Sequence, residues 1–96
     1  MTDPRWNTPF DEFGEQKSRD IRIARAALYV TLSQNPADRW ADIPEIITFG
    51  RKIHDAGGFR AMQIVYYDLC DLLPSPKGTD ARLLNHLWDG IGEWRA

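Results

Sequence analysis

Ninety-six residues, 43% hydrophobic and 11% aromatic, suit one globular domain and exclude a chain that is disordered throughout. Twelve Lys and Arg against fourteen Asp and Glu give a formal net charge of −2, a poor footprint for a protein that works by neutralising phosphates. No apolar run approaches the roughly 20 residues that cross a bilayer, and Cys70 is the only cysteine, so no internal disulfide forms.

The opening Met1-Thr2-Asp3-Pro4-Arg5 has neither the basic start nor the apolar stretch of a secretory signal. With a single thiol, this points to a cytoplasmic protein. Charge is unevenly spread: residues 1–16 are acidic, 17–60 basic and 61–96 acidic again. Residues 1–17 read as an arm. Its aromatics Trp6, Phe10 and Phe13 are too apolar for a plain solvated tail, and Thr8-Pro9-Phe10-Asp11 suggests a capped turn that Gly14 ends.

Beyond the arm, apolar residues recur every three or four positions in four stretches, which predicts helices rather than half-buried strands. The first is expected from about Ser18 to Gln34. Ile21, Ile23, Ala24, Ala27, Leu28, Val30 and Leu32 spread over an inward arc of about 200°, with Arg19, Arg22 and Arg25 on the other side. Asn35-Pro36 ends this helix, because a residue before proline disfavours the α region. Asn35 then caps a short turn with Pro36 at its first position, carrying Trp40 inward.

A second helix should start at Asp42 in a capping box with Glu45, Pro44 being harmless in a first turn. Ile43, Ile46, Ile47, Phe49, Gly50 and Ile53 face inward, and Gly57-Gly58 stops the helix through a left-handed residue. The third helix, about Phe59 to Leu73, has the cleanest stripe. Phe59, Met62, Val65, Tyr66, Leu69, Cys70, Leu72 and Leu73 fall within about 160°, which predicts the central element. Pro74 to Gly78 breaks it. Thr79 caps a fourth helix with Ala81, Leu83, Leu84, Leu87, Trp88, Ile91 and Trp94 inside, and Gly90 and Gly92 should fray its end, each costing about 1 kcal/mol. The expected fold is all-α: a compact four-helix, bundle-like single domain (18–96) behind an aromatic N-terminal arm (1–17).

Opposite the core stripe of the third helix lie Arg60, Ile64, Tyr67 and Asp71, spaced by four, three and four. Ile64 and Tyr67 are large and apolar where water is expected. In one reading a neighbour, or the arm through Trp6 and Phe10, covers this second face. In the other it is an exposed anchor stripe for another protein or a second copy, with the Tyr, Arg and apolar mixture of contact hot spots. Arg19, Arg22 and Arg25 likewise read either as an anion-binding set, since guanidinium forks suit carboxylates and phosphates, or as a solvated helix face.

Catalytic chemistry finds little footing. Cys70 lies in an apolar stripe, where a thiol behaves as a small core residue, and His54 falls at the edge of an inner face. His86, Asp89 and Glu93 share one side of the fourth helix, but a closed metal site needs more ligands, so neither a metal nor another cofactor is expected. The second and third helices have the outline of a helix-turn-helix. A recognition helix starts polar and basic, however, whereas Phe59-Arg60-Ala61-Met62-Gln63 is mostly core-like, so nucleic acid is not the expected partner. The expectation is a non-enzymatic binding module, an adaptor or an inhibitor in the manner of toxin-neutralising or phage anti-defence proteins. It would occupy a surface of a larger protein through Arg60, Ile64, Tyr67, Asp71, Trp6 and Phe10. The alternatives are a homodimeric structural or accessory protein using the same stripe, and a nucleic-acid or anion-binding module using Arg19, Arg22 and Arg25.

Overall fold

A computed structural model describes residues 12–72 and 79–96; Trp6, Phe10 and the 73–78 connection lie outside them. The described chain consists of helices and turns: α1 (Glu15–Gln34), a 3-10 turn (Ala37–Asp42), α2 (Pro44–Leu72) and α3 (Thr79–Leu87). α2 is not one rod. At Gly58 the backbone swings to φ 70, ψ −163, a region essentially closed to residues with a Cβ, and divides α2 into arms 44–57 and 59–72. With α1 and α3 these make the four rods of an all-α fold, and the stop expected at Gly57-Gly58 is real, although the helix resumes at once. No atom lies within 4 Å of where a Gly58 Cβ would stand, so Gly58→Ala meets only the backbone penalty. We expect a loss of about 1–3 kcal/mol, read as a lowered urea midpoint.

The second arm of α2 is the centre of the molecule: Ala61, Met62, Val65 and Leu69 are fully buried. Around them pack Ile21, Ala24, Leu28 and Leu32 of α1, Ile46 and Ile53 of the first arm, Trp40, and Leu84, Trp88, Ile91 and Trp94 from the end of the chain. Burying each larger side chain of this kind contributes roughly 1.5–3 kcal/mol.

Several boundaries differ from the expectation, each for a local reason. α1 begins at Glu15 rather than Ser18, because Gly14 (φ 87) redirects the chain and its carbonyl accepts the Ser18 amide at 2.9 Å. α1 also divides the wide apolar arc. Ile21, Ala24, Leu28 and Leu32 go in, whereas Ile23 (61% exposed) and Val30 (49%) face outward. A 200° arc is wider than the face one neighbouring helix pair covers. Asn35 does not cap the 3-10 turn: its side-chain amide donates back to the Thr31 carbonyl at 2.8 Å, and its own carbonyl accepts the Trp40 indole at 3.0 Å. Pro36 (φ −65, ψ 150) stays outside that turn. Ile43, not Asp42, precedes α2, since Asp42 is taken up in the 3-10 turn, and Pro44 holds the first helical position, where its missing N–H has no partner to lose.

The largest difference is at the C-terminal end. α3 stops at Leu87: the Trp88 amide still donates to the Leu84 carbonyl at 3.0 Å, but Ile91 and Trp94 lie beyond the helix. Gly90 (φ 93) and Gly92 (φ 53) bend the chain, and the Gly90 amide donates to the Trp94 carbonyl at 2.9 Å. Instead of fraying, the tail folds back and buries Trp88, Ile91 and Trp94. The Trp88 indole donates to the Ile46 carbonyl at 3.2 Å. It lies so close to Gly50 that a Cβ there would stand 2.6 Å from Trp88 Nε1. Among the described residues no helix is long and apolar enough to cross a membrane.

Candidate functional site

On the second arm, Arg60, Ile64, Tyr67 and Asp71 stay within about 60° of one another, turned away from the buried row of Ala61, Met62, Val65 and Leu69. The structure separates the two apolar members. Ile64 is half-buried and packs against the core, whereas Tyr67 is 64% exposed. A neighbour therefore covers part of this face, but not the tyrosine. Arg60 Nε donates to Glu12 Oε1 at 3.3 Å, with both side chains mostly in water. Such pairs are worth about 1 kcal/mol or less, so Arg60 exchanges partners at little cost. Asp71 is exposed. The remaining members of the expected set, Trp6 and Phe10, lie outside the described residues.

Beside Tyr67 the second arm and the folded-back tail enclose a cleft of about 280 Å³. Gln63, Tyr66 and Tyr67 line one wall and Asn85, Trp94 and Arg95 the other. Its rings meet edge-on or tilted: Tyr66 and Tyr67 at 5.4 Å and 78°, Tyr66 and Trp94 at 5.3 Å and 60°, Phe59 and Trp94 at 5.6 Å and 58°, the arrangement that aromatic quadrupoles favour. Polar atoms hold the walls in place. Tyr66 Oη donates to the Ala81 carbonyl at 2.8 Å, joining α3 to the second arm, and Trp94 Nε1 donates to Asn85 Oδ1 at 2.8 Å. Arg95 Nη1 donates to the carbonyls of Gly92 and Trp94. Burial first, and then Cys70, push the Tyr66 phenol up to about 12, so it serves as a neutral donor. Burial also pushes the Cys70 thiol up, the reverse of what an activated nucleophile needs. Its exposed lining is more polar than apolar, so the cleft suits a group that carries hydrogen-bonding atoms as well as a ring.

The arginine row does not form one surface. Each step of three residues turns 60° back around a helix, so the row winds inward: Arg19 is exposed, Arg22 half-buried and Arg25 only 2% exposed. Arg25 Nη1 donates to Asp68 Oδ2 at 2.9 Å, linking α1 to the second arm. Burial lowers the Arg25 pKa against the pull of Asp68. Neither an exposed anion clamp of Arg19, Arg22 and Arg25 nor a solvated face describes this residue. The side chains once grouped with His86 are also engaged elsewhere: Glu93 Oε1 lies 3.1 Å from His54 Nε2, and Asp89 Oδ1 accepts the Ala96 amide at 3.0 Å. Among the described residues no three of His, Cys, Asp and Glu are grouped to hold a metal ion.

Periodicity alone missed the outward Ile23 and Val30, although their spacing with Ala27, four and then three, is a second helical stripe inside the wide arc. The cleft was equally hidden, because it depends on a tail that leaves the helix after Leu87. No protein-family model matches this chain, and no curated protein or solved structure matches it.

Proposed function

We propose that this chain is a non-enzymatic, cytoplasmic protein-binding module that acts by occupying a surface of a larger protein, as an adaptor or inhibitor does. The observation that carries the reading is Tyr67, a large side chain 64% exposed at the mouth of a cleft lined by other aromatics. Tyr, Trp and Arg are enriched in contact hot spots, the two aromatics because they bury large area with only two torsions to freeze. In this mechanism Tyr67 buries in the partner, a partner side chain enters the cleft, and Ile64 extends the apolar rim. Arg60 exchanges Glu12 for an acidic group of the partner, and Asp71 fixes register.

The test starts from the full chain used as bait, followed by titration calorimetry with the recovered protein. Tyr67→Ala should weaken binding at least about tenfold, or about 1.4 kcal/mol, with an unchanged melting temperature. Ile64→Asp should weaken it too, but with some loss of stability, because Ile64 is partly in the core. Full affinity in Tyr67→Ala would refute the assignment.

A further inference from the structure

Of the three large apolar side chains exposed on the described surface, two, Ile23 and Val30, belong to α1 and lie on a different element from Tyr67. With Ala27 they form a stripe on the side of α1 turned away from its buried row. Next to this stripe, between α1 and the first arm of α2, runs a groove of about 580 Å³ with Ala24, Phe49 and Ala56 among its lining. Its walls carry matching charges: Lys17 and Asp20 from α1, Lys52 and Asp55 from α2. Both read Lys-x-x-Asp. The 35–43 connection returns the first arm along α1, with Gly57 against Ile21, so the two walls run in opposite directions. Signs therefore alternate around the rim, a lysine of one wall standing toward an aspartate of the other.

A rim of alternating sign is complementary to itself. Turned over about a two-fold axis in its own plane, each lysine meets an aspartate of the second copy and each aspartate a lysine, while apolar lining meets apolar lining. That is the condition for an isologous contact, in which one patch serves both partners. Registers that bring like charges together would repel, so the same four residues restrict the register. We propose that a second copy of this chain docks across the α1–α2 groove, forming a symmetric dimer through Ile23, Val30 and the Lys17, Asp20, Lys52 and Asp55 rim. The Tyr67 face takes no part, so the dimer and the partner-binding reading stand or fall separately.

Sedimentation equilibrium of the full chain, from micromolar to high micromolar concentration, tests the proposal. The wild type should show a concentration-dependent monomer–dimer equilibrium. Ile23→Glu, at an exposed position, should raise the dissociation constant at least about tenfold with an unchanged circular dichroism spectrum, and Tyr67→Ala should leave it unaltered. The decisive arm uses two charge variants, one with Lys17→Glu and Lys52→Glu, the other with Asp20→Lys and Asp55→Lys. Each should be monomeric alone, and an equimolar mixture should form the mixed dimer. A wild type that stays monomeric over the whole range overturns the proposal, and the groove then belongs to another occupant. So does a dimer that survives Ile23→Glu, one abolished by Tyr67→Ala, or a mixture of the charge variants that fails to pair.

Discussion

Trp88→Ala is expected to destabilise the protein by about 3–5 kcal/mol, the range for removing a fully buried tryptophan. Domains of this size have only about 5–15 kcal/mol in total, so the variant should be close to half-unfolded in mild urea. The site cannot collapse cheaply. The Trp88 indole is fully buried, lies edge-on to Trp94 at 5.3 Å and occupies the space that Gly50 leaves open. Removing it leaves a hole between the first arm and the tail, and takes away the donor to the Ile46 carbonyl. Trp88→Phe restores much of the apolar volume but not that N–H, so its loss should be smaller, about 1–2 kcal/mol. Urea denaturation followed by circular dichroism measures both. A loss under about 1 kcal/mol in Trp88→Ala would mean that the tail is not part of the cooperative core.

Asp68→Ala should cost about 3 kcal/mol. It removes the carboxylate from a guanidinium that is only 2% exposed, and breaking one side of a buried pair typically costs 3–5 kcal/mol. The lower end applies because the Asp68 side chain is itself 25% exposed. Arg25→Met alone should cost less, since it leaves an aspartate that water reaches. The double variant, Arg25→Met with Asp68→Leu, should recover most of the loss, because apolar replacement of a buried pair is often neutral or stabilising. A double-mutant cycle in urea, closed by Asp68→Leu alone, reads the coupling directly. Strictly additive losses would show that the two residues act independently.

These two sites mark where periodicity succeeds and where it fails. The central arm was legible because its apolar residues keep one helical phase from Met62 to Leu69, a single narrow face that only a buried helix explains. Gly58 was legible because a glycine pair between two such phases leaves few other roles. Arg25 was not. Its burial depends on Asp68, 43 residues away, and no local pattern announces a long-range partner. The tail escapes periodicity, because Leu87, Trp88, Ile91 and Trp94 are spaced as on a helix, yet the same spacing also suits turns that pass two glycines in left-handed conformations. The stripe of Arg60, Ile64, Tyr67 and Asp71 was found as a helical face, but helical phase alone does not rank its members. Ile64 is partly covered and Tyr67 is not, a distinction set by neighbours outside the helix.

The tail's hydrogen bond from Trp88 to Ile46 spans 42 positions of sequence, and this orders events during synthesis. Residues 88–94 leave the ribosome after the helical hairpin and the central arm, so the greasy dock stands open until these residues have cleared the exit tunnel. Such intermediates expose aggregation-prone surface and draw chaperones. A chain truncated before Trp88 and released from the ribosome should therefore be cut readily by protease, and restoring residues 88–94 should protect it.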